Sequence, residues 1–176
     1  MARKREHFII DGYNVIHALP ELSALMSDLA EARDRLLHLL VEYGAYEKYE
    51  MTVVFDALFA SGEEHRETIA PHFEVVYTAE GMTADSCIER LAYESVRASR
   101  EVHVVTSDGA EQSAILGAGA YRISSAELWR RVKKTKKKIA DEYLGEVTLP
   151  LLRNEVGSRI DSRTAAKLDA LRKGRH

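Results

Sequence analysis

Phe8-Ile9-Ile10 is a short apolar run that stops abruptly at Asp11, with Gly12, Tyr13 and Asn14 directly behind it. Such a run reads as a buried strand. An acid at its end lies at the carboxyl edge of a sheet, where open α/β folds bind their ligands. One acid there decides little, because an Asp after a strand commonly serves a turn or a helix cap. The chain repeats the pattern, however. Met51-Thr52-Val53-Val54-Phe55 stops at Asp56, and Val102-His103-Val104-Val105 leads through Thr106-Ser107 into Asp108. A further strand, Phe73–Tyr77, runs through a loop with Gly81 into a helix that Thr83 caps and that carries Asp85 in its first turn.

The segments between these strands read as helices and connections. Asp11–Asn14 reads as a turn, followed by a short stretch that Pro20 interrupts. Asp28 caps a helix, with Glu31 three residues on, and Leu29, Ala32, Leu36, Leu40 and Tyr43 form its apolar stripe. Gly44 reads as a weakening point near its end. Residues 57–72 are polar, with Gly62 and Pro71, and read as a long surface connection. A short helix over 110–116 and a short strand over 120–123 follow. Ser124 and Glu127 then fit a capping box opening a long helix with Leu128, Val132, Thr135, Ile139 and Tyr143 on one face. Beyond Gly145 the pattern weakens, with a shorter helix expected near 149–156 and a charged one near 161–172. Alternating strands and helices give an α/β fold with a mainly parallel sheet covered on both faces and right-handed crossovers. The expected organisation is one domain over residues 1–145 and a C-terminal helical extension over 146–176.

No apolar run approaches the roughly 20 residues that span a bilayer. The basic start, Met1–Glu6, precedes only a strand-length apolar run, which argues against a signal peptide. Cys87 is the single cysteine, which excludes an internal disulfide and a cysteine-based zinc site. A reducing cytoplasm is the expected location. Charge is divided unevenly: residues 1–127 sum to −11 and residues 128–176 to +8. An acidic body with a basic last third suits a protein that holds cations in one place and a polyanion in another, although on charge alone a solvated helix face is the better explanation.

In a parallel sheet Asp11, Asp56, Asp85 and Asp108 fall along one edge. Carboxylates crowded there repel one another unless a cation neutralises them. Hard oxygen donors select Mg²⁺ or Mn²⁺, and the fitting chemistry is metal-assisted phosphodiester hydrolysis. Each acid also has an ordinary explanation: Asp85 as a first-turn helix acid, Asp108-Gly109 as a turn pair, Asp56 as a partner of Arg33. Asn14 either braces the turn or orients Asp11 or a bound water. The seven histidines show no ligand spacing, Ser107 has no evident base, and no glycine-rich phosphate loop occurs. Cys87 reads as a structural thiol.

Asp11-Gly12-Tyr13-Asn14, Val54-Phe55-Asp56-Ala57, Thr83-Ala84-Asp85-Ser86-Cys87-Ile88-Glu89 and Thr106-Ser107-Asp108 occur in the order and spacing of the YacP-like NYN domain, a group of the PIN-like nuclease superfamily. Glu31-Ala32-Arg33-Asp34, Glu111-Gln112 and Gly119-Ala120-Tyr121-Arg122 extend the resemblance over roughly residues 7–135. The resemblance implies a PIN-like α/β/α sandwich and a metal-dependent endoribonuclease using Mg²⁺ or Mn²⁺, without a small-molecule cofactor. It implies that Asp11, Asp56, Asp85 and Asp108 form the catalytic metal site, supported by Asn14. It also implies messenger RNA as substrate and the ribosome as partner. Lys133, Lys134, Lys137 and Arg130 of the basic helix are then candidates to track a phosphate backbone, and Arg33 and Arg122 to meet substrate phosphate. Tyr13 is a candidate to stack on an unpaired base, or else a rim tyrosine. Two rivals remain at this level: a ribosome- or RNA-binding protein with little nuclease activity, and a doubly wound phosphatase.

Overall fold

The structure is a computed structural model that describes residues 3–57, 62–107 and 112–151. Its elements in chain order are β1 (His7–Asp11), α1 (Gly12–Ala18), α2 (Pro20–Ser23), α3 (Leu29–Glu47), β2 (Glu50–Phe55), β3 (His65–Ala70), β4 (Phe73–Tyr77), α4 (Ala84–Arg97), β5 (Val102–Val105), α5 (Gln112–Gly117), β6 (Tyr121–Ile123) and α6 (Ser125–Leu151). The chain divides into two compact units, Met1–Thr135 and Lys136–His176, and the boundary falls within α6.

The first unit is built on a six-stranded sheet in the order β3-β4-β2-β1-β5-β6. All neighbours are parallel except β3, which runs antiparallel to β4. Central β1 is buried along its whole length. Successive side chains of a strand alternate between faces. Phe8 and Ile10 therefore join the core under α1, α3 and the start of α6, while Ile9 joins the opposite core under α4 and α5. From β1 the chain moves outward to β2 over the first face. From β4 it returns to β5 over the second. The strand order therefore reverses between β1 and β5, the kind of position at which open α/β sheets bind their ligands.

Several expectations change in detail. The Asp11–Asn14 turn is the first turn of α1, with Asp11 as its cap. α3 continues past Gly44 to Glu47, and a Cβ at Gly44 would lie 2.6 Å from Met51 Cγ, so the glycine lets the helix approach β2. The polar stretch 57–72 contains β3. That strand is hidden in the sequence because it is an exposed edge strand, irregular between Thr68 and Ala70, with no apolar alternation to reveal it. α6 continues past Gly145 to Leu151; the helix expected near 149–156 falls mostly, and the one near 161–172 wholly, outside the described residues.

Gly12 is fixed by packing. A Cβ at this position would lie 2.3 Å from Cε1 of Phe55, whose ring is fully buried. Gly12→Ala is therefore expected to destabilise the fold by roughly 1–3 kcal/mol, since overpacking outweighs the helix propensity that alanine adds. Urea unfolding measures this, and an unchanged midpoint would contradict the close approach.

A candidate active site at the carboxyl edge of the sheet

Each acid reaches the edge through a different local device. Asp11 is the last residue of β1 and the N-cap of α1. Its Oδ1 accepts the Asn14 N–H at 3.2 Å. Asp56 follows β2 directly. Asp85 sits in the first turn of α4, which Thr83 caps by accepting the Ser86 N–H at 3.2 Å. The three carboxylates line one cleft of about 470 Å³, together with Tyr13, Asn14 and His17 of α1, Met26, Leu29, Thr83 and Ala84. Asp108, expected as a fourth member, lies outside the described residues.

Burial differs among the acids. Asp11 is 8% exposed, Asp56 is half-buried and Asp85 is exposed. Among the described residues, neither Asp56 nor Asp85 has an arginine or lysine within ion-pair distance. Arg33, the alternative partner for Asp56, instead donates to the Tyr13 hydroxyl at 3.3 Å. An all-oxygen donor set without basic partners for Asp56 and Asp85 suits a hard divalent cation.

Asn14 has a role that neither sequence alternative describes fully. Its backbone N–H binds Asp11, while its side-chain Oδ1 accepts from the Ser107 N–H at 2.8 Å and from Ser125 Oγ at 3.3 Å. Ser107 Oγ also donates to Ser125 Oγ at 3.0 Å. Asn14 thus ties the start of α1 to the end of β5 and to the start of α6. The Ser107 backbone that it holds is the one leading into Asp108.

Thr78 is a site residue that the sequence does not single out. It is 2% exposed, follows β4, and its Oγ1 accepts from the Ala57 N–H at 3.0 Å and donates to Asp56 Oδ1 at 3.4 Å. The available signal is a hydroxyl residue just past the strand adjacent to the one that Asp56 ends. His17 is another, because ligand spacing by itself gives a lone histidine on a short helix no weight. Cys87 is buried, and burial raises its thiol pKa, in keeping with a structural role.

The basic candidates are spread more widely. Arg122 lies on β6, half-buried, and does not line the cleft. Arg130 is ion-paired with Glu127, and the Lys133 ammonium lies 6.0 Å from the Trp129 ring centre. Lys134 is exposed, and Lys137, also exposed, belongs to the second unit.

A different trio, Glu6, Glu101 and His103, gathers its ligand atoms within 4.8 Å, a spacing the cleft's described acids do not reach among themselves. These residues lie at the starts of β1 and β5, the amino edge. Arg3 sits 3.6 Å from both glutamates, and the His103 ring stacks on Phe8 and on Tyr121. At that edge Arg3 ion-pairs with both glutamates. No helix among the described residues is long and apolar enough to cross a membrane.

Known proteins resemble this chain in sequence and in fold. The YacP-like NYN domain profile matches residues 8–173. The uncharacterized protein YacP of Bacillus subtilis (strain 168) is 42% identical over 132 residues, which is 74% of this chain and 77% of that protein. A crystal structure of a point mutant of Rae1 (YacP) from Bacillus subtilis matches with a TM-score of 0.72 at 35% identity, covering 94% of this chain and 99% of that one. A second Rae1 (YacP) crystal structure from Bacillus subtilis matches with a TM-score of 0.70 at 33% identity, covering 96% and 95%. With the family match spanning most of the chain and both crystal structures matching nearly all of it, the chain belongs to the YacP-like NYN domain family, a PIN-like group of nuclease type.

Proposed function

We propose that the protein is a metal-dependent endoribonuclease that hydrolyses phosphodiester bonds of messenger RNA in association with the ribosome. The observation that carries this reading is the convergence of Asp11, Asp56 and Asp85, from three separate elements, on one cleft. Asp108 is included in the set by its position after Ser107. These carboxylates would hold Mg²⁺ or Mn²⁺, which when bound supplies Lewis acidity toward a phosphate and a more acidic water. Mg²⁺ characteristically keeps several waters and takes substrate phosphate into its shell, so a site of a few carboxylates suffices to hold it.

The remaining groups position. Thr78 directs an oxygen of Asp56, and Asn14 fixes the approach to Asp108. Lys133, Lys134 and Lys137, with Arg130, supply sequence-independent attraction for a polyanion. Thr78→Val is expected to weaken Mn²⁺ binding by roughly 10-fold, as loss of an outer partner of a ligand does. It should also lower stability by about 1–3 kcal/mol, because the Ala57 N–H loses its acceptor. A Mn²⁺ titration with wild-type affinity would remove Thr78 from the site.

The deciding experiment is cleavage of RNA with and without Mn²⁺, and with and without ribosomes, comparing wild type with Asp85→Asn. Cleavage that ignores the metal, or an undiminished variant, overturns the proposal. RNA or ribosome binding that survives Asp85→Asn but fails on charge reversal of Lys133 and Lys134, with no cleavage in any condition, would establish the binding-protein alternative instead.

A further inference from the structure

The cleft has two unlike halves. One is the set of acids. The other is apolar: Tyr13, Met26 and Leu29, with the exposed His17 beside them. Leu29 heads the apolar stripe of α3, yet it remains half-exposed while Ala32, Leu36 and Leu40 further along the stripe are at most 1% exposed. The Tyr13 ring is already fixed, packed against Phe55 at 5.0 Å and 64° with its hydroxyl bound by Arg33. A fixed ring and half-exposed aliphatic side chains next to carboxylates do nothing for a hydrated cation or for a phosphate. They do suit a flat heteroaromatic group attached to that phosphate. The cleft volume, about 470 Å³, falls within the roughly 300–1,000 Å³ typical of small-ligand sites.

We propose that this half of the cleft is a nucleobase subsite, in which Tyr13, Met26 and Leu29, with His17 at the rim, receive one unpaired base next to the phosphate that a cation on the acids would hold. This rests on the nuclease reading and adds a requirement to it: the RNA is single-stranded at the cut. Bases in a duplex are stacked on their neighbours, and only an unpaired base offers its face to a protein surface. Because such a wall gives contact area rather than hydrogen-bond donors aimed at base edges, it discriminates base from no base more than one base from another.

The test uses a short single-stranded RNA in which one abasic site is moved through each position in turn. Binding is read by fluorescence anisotropy without divalent cation, and cleavage is read with Mn²⁺. An abasic site at one position is expected to weaken binding by roughly 10-fold, the usual worth of one stacked base. Met26→Ser and Leu29→Ser should weaken binding of the intact RNA by a similar factor and add nothing further on the RNA that is abasic at that position. A purely structural defect would lower both equally. Equal losses on both RNAs, indifference to every abasic position, or no RNA binding by the wild type overturns the subsite. Base discrimination in binding without any Mn²⁺-dependent cleavage would leave the subsite standing and remove the nuclease reading. Cleavage without discrimination would do the reverse.

Discussion

Under the proposed metal site, Asp85→Asn is expected to cut Mn²⁺-dependent RNA cleavage by at least about 100-fold, since loss of a proposed direct ligand should exceed the 10–100-fold typical of outer-shell partners. The variant is informative because so little else depends on this carboxylate. Asp85 is exposed, and the cap of α4 is made by Thr83 rather than by Asp85. Losing a first-turn acid costs a helix only about 0.3–1 kcal/mol. Activity and stability should therefore separate cleanly, with thermal unfolding almost unchanged and cleavage nearly gone. Asp11 offers a poorer test. It is 8% exposed and caps α1 through the Asn14 N–H, so a change there disturbs the fold as well as the site. Retention of most cleavage by Asp85→Asn would remove Asp85 from the reaction.

A loss of stability in mild acid, centred on His7, is the second large effect. His7 is buried at the start of β1, with Nδ1 2.7 Å from Ser95 Oγ and Nε2 2.8 Å from Thr52 Oγ1. Burial, with a smaller push from the Arg100 guanidinium and some opposition from Glu50, lowers its pKa from 6.5 to about 4. The folded state therefore keeps a neutral ring over a range in which the unfolded chain takes up a proton. Stability from this group is complete above pH 6.5, declines as the pH falls toward 4, and changes no further below that. The total is about 3 kcal/mol at roughly 1.36 kcal/mol per pH unit. Urea unfolding at several pH values, wild type against His7→Gln, isolates the contribution. The variant should show a shallower dependence by up to one proton between pH 6.5 and 4. Identical slopes would mean that His7 titrates normally.

What can be read from the chain beforehand follows from the range of the forces involved. Asp11, Asp56 and Asp85 are legible because each ends an apolar run or opens a capped helix, and strand parallelism alone sends such positions to one edge. β1, β2, β4, β5 and α4 are legible for the same reason: their apolar patterns are local. β3 is not, since an exposed edge strand draws its order from pairing with β4 rather than from its own composition. Thr78 and Asn14 act across 22 and 93 residues of sequence, respectively, and no local pattern reports contacts at that distance. Leu29 reads as a core residue because helical periodicity identifies an apolar stripe without saying where along it the covering surface stops.

The bonds from Asn14 to Ser107 and to Ser125 span 93 and 111 residues. β1 likewise meets its second neighbour, β5, only when residues 102–105 exist. During synthesis from the amino end, β1 can therefore pair with β2 and Asp11 can cap α1 well before β5 and the Ser107 and Ser125 partners of Asn14 exist. Pairings so distant in sequence are slow to close and form late. A growing chain presents Asp11, Asp56 and Asp85 one after another. The bonds that brace Asn14 form only once β5 and the first turn of α6 have emerged, so under the proposed function a nascent copy would be silent toward the RNA around it.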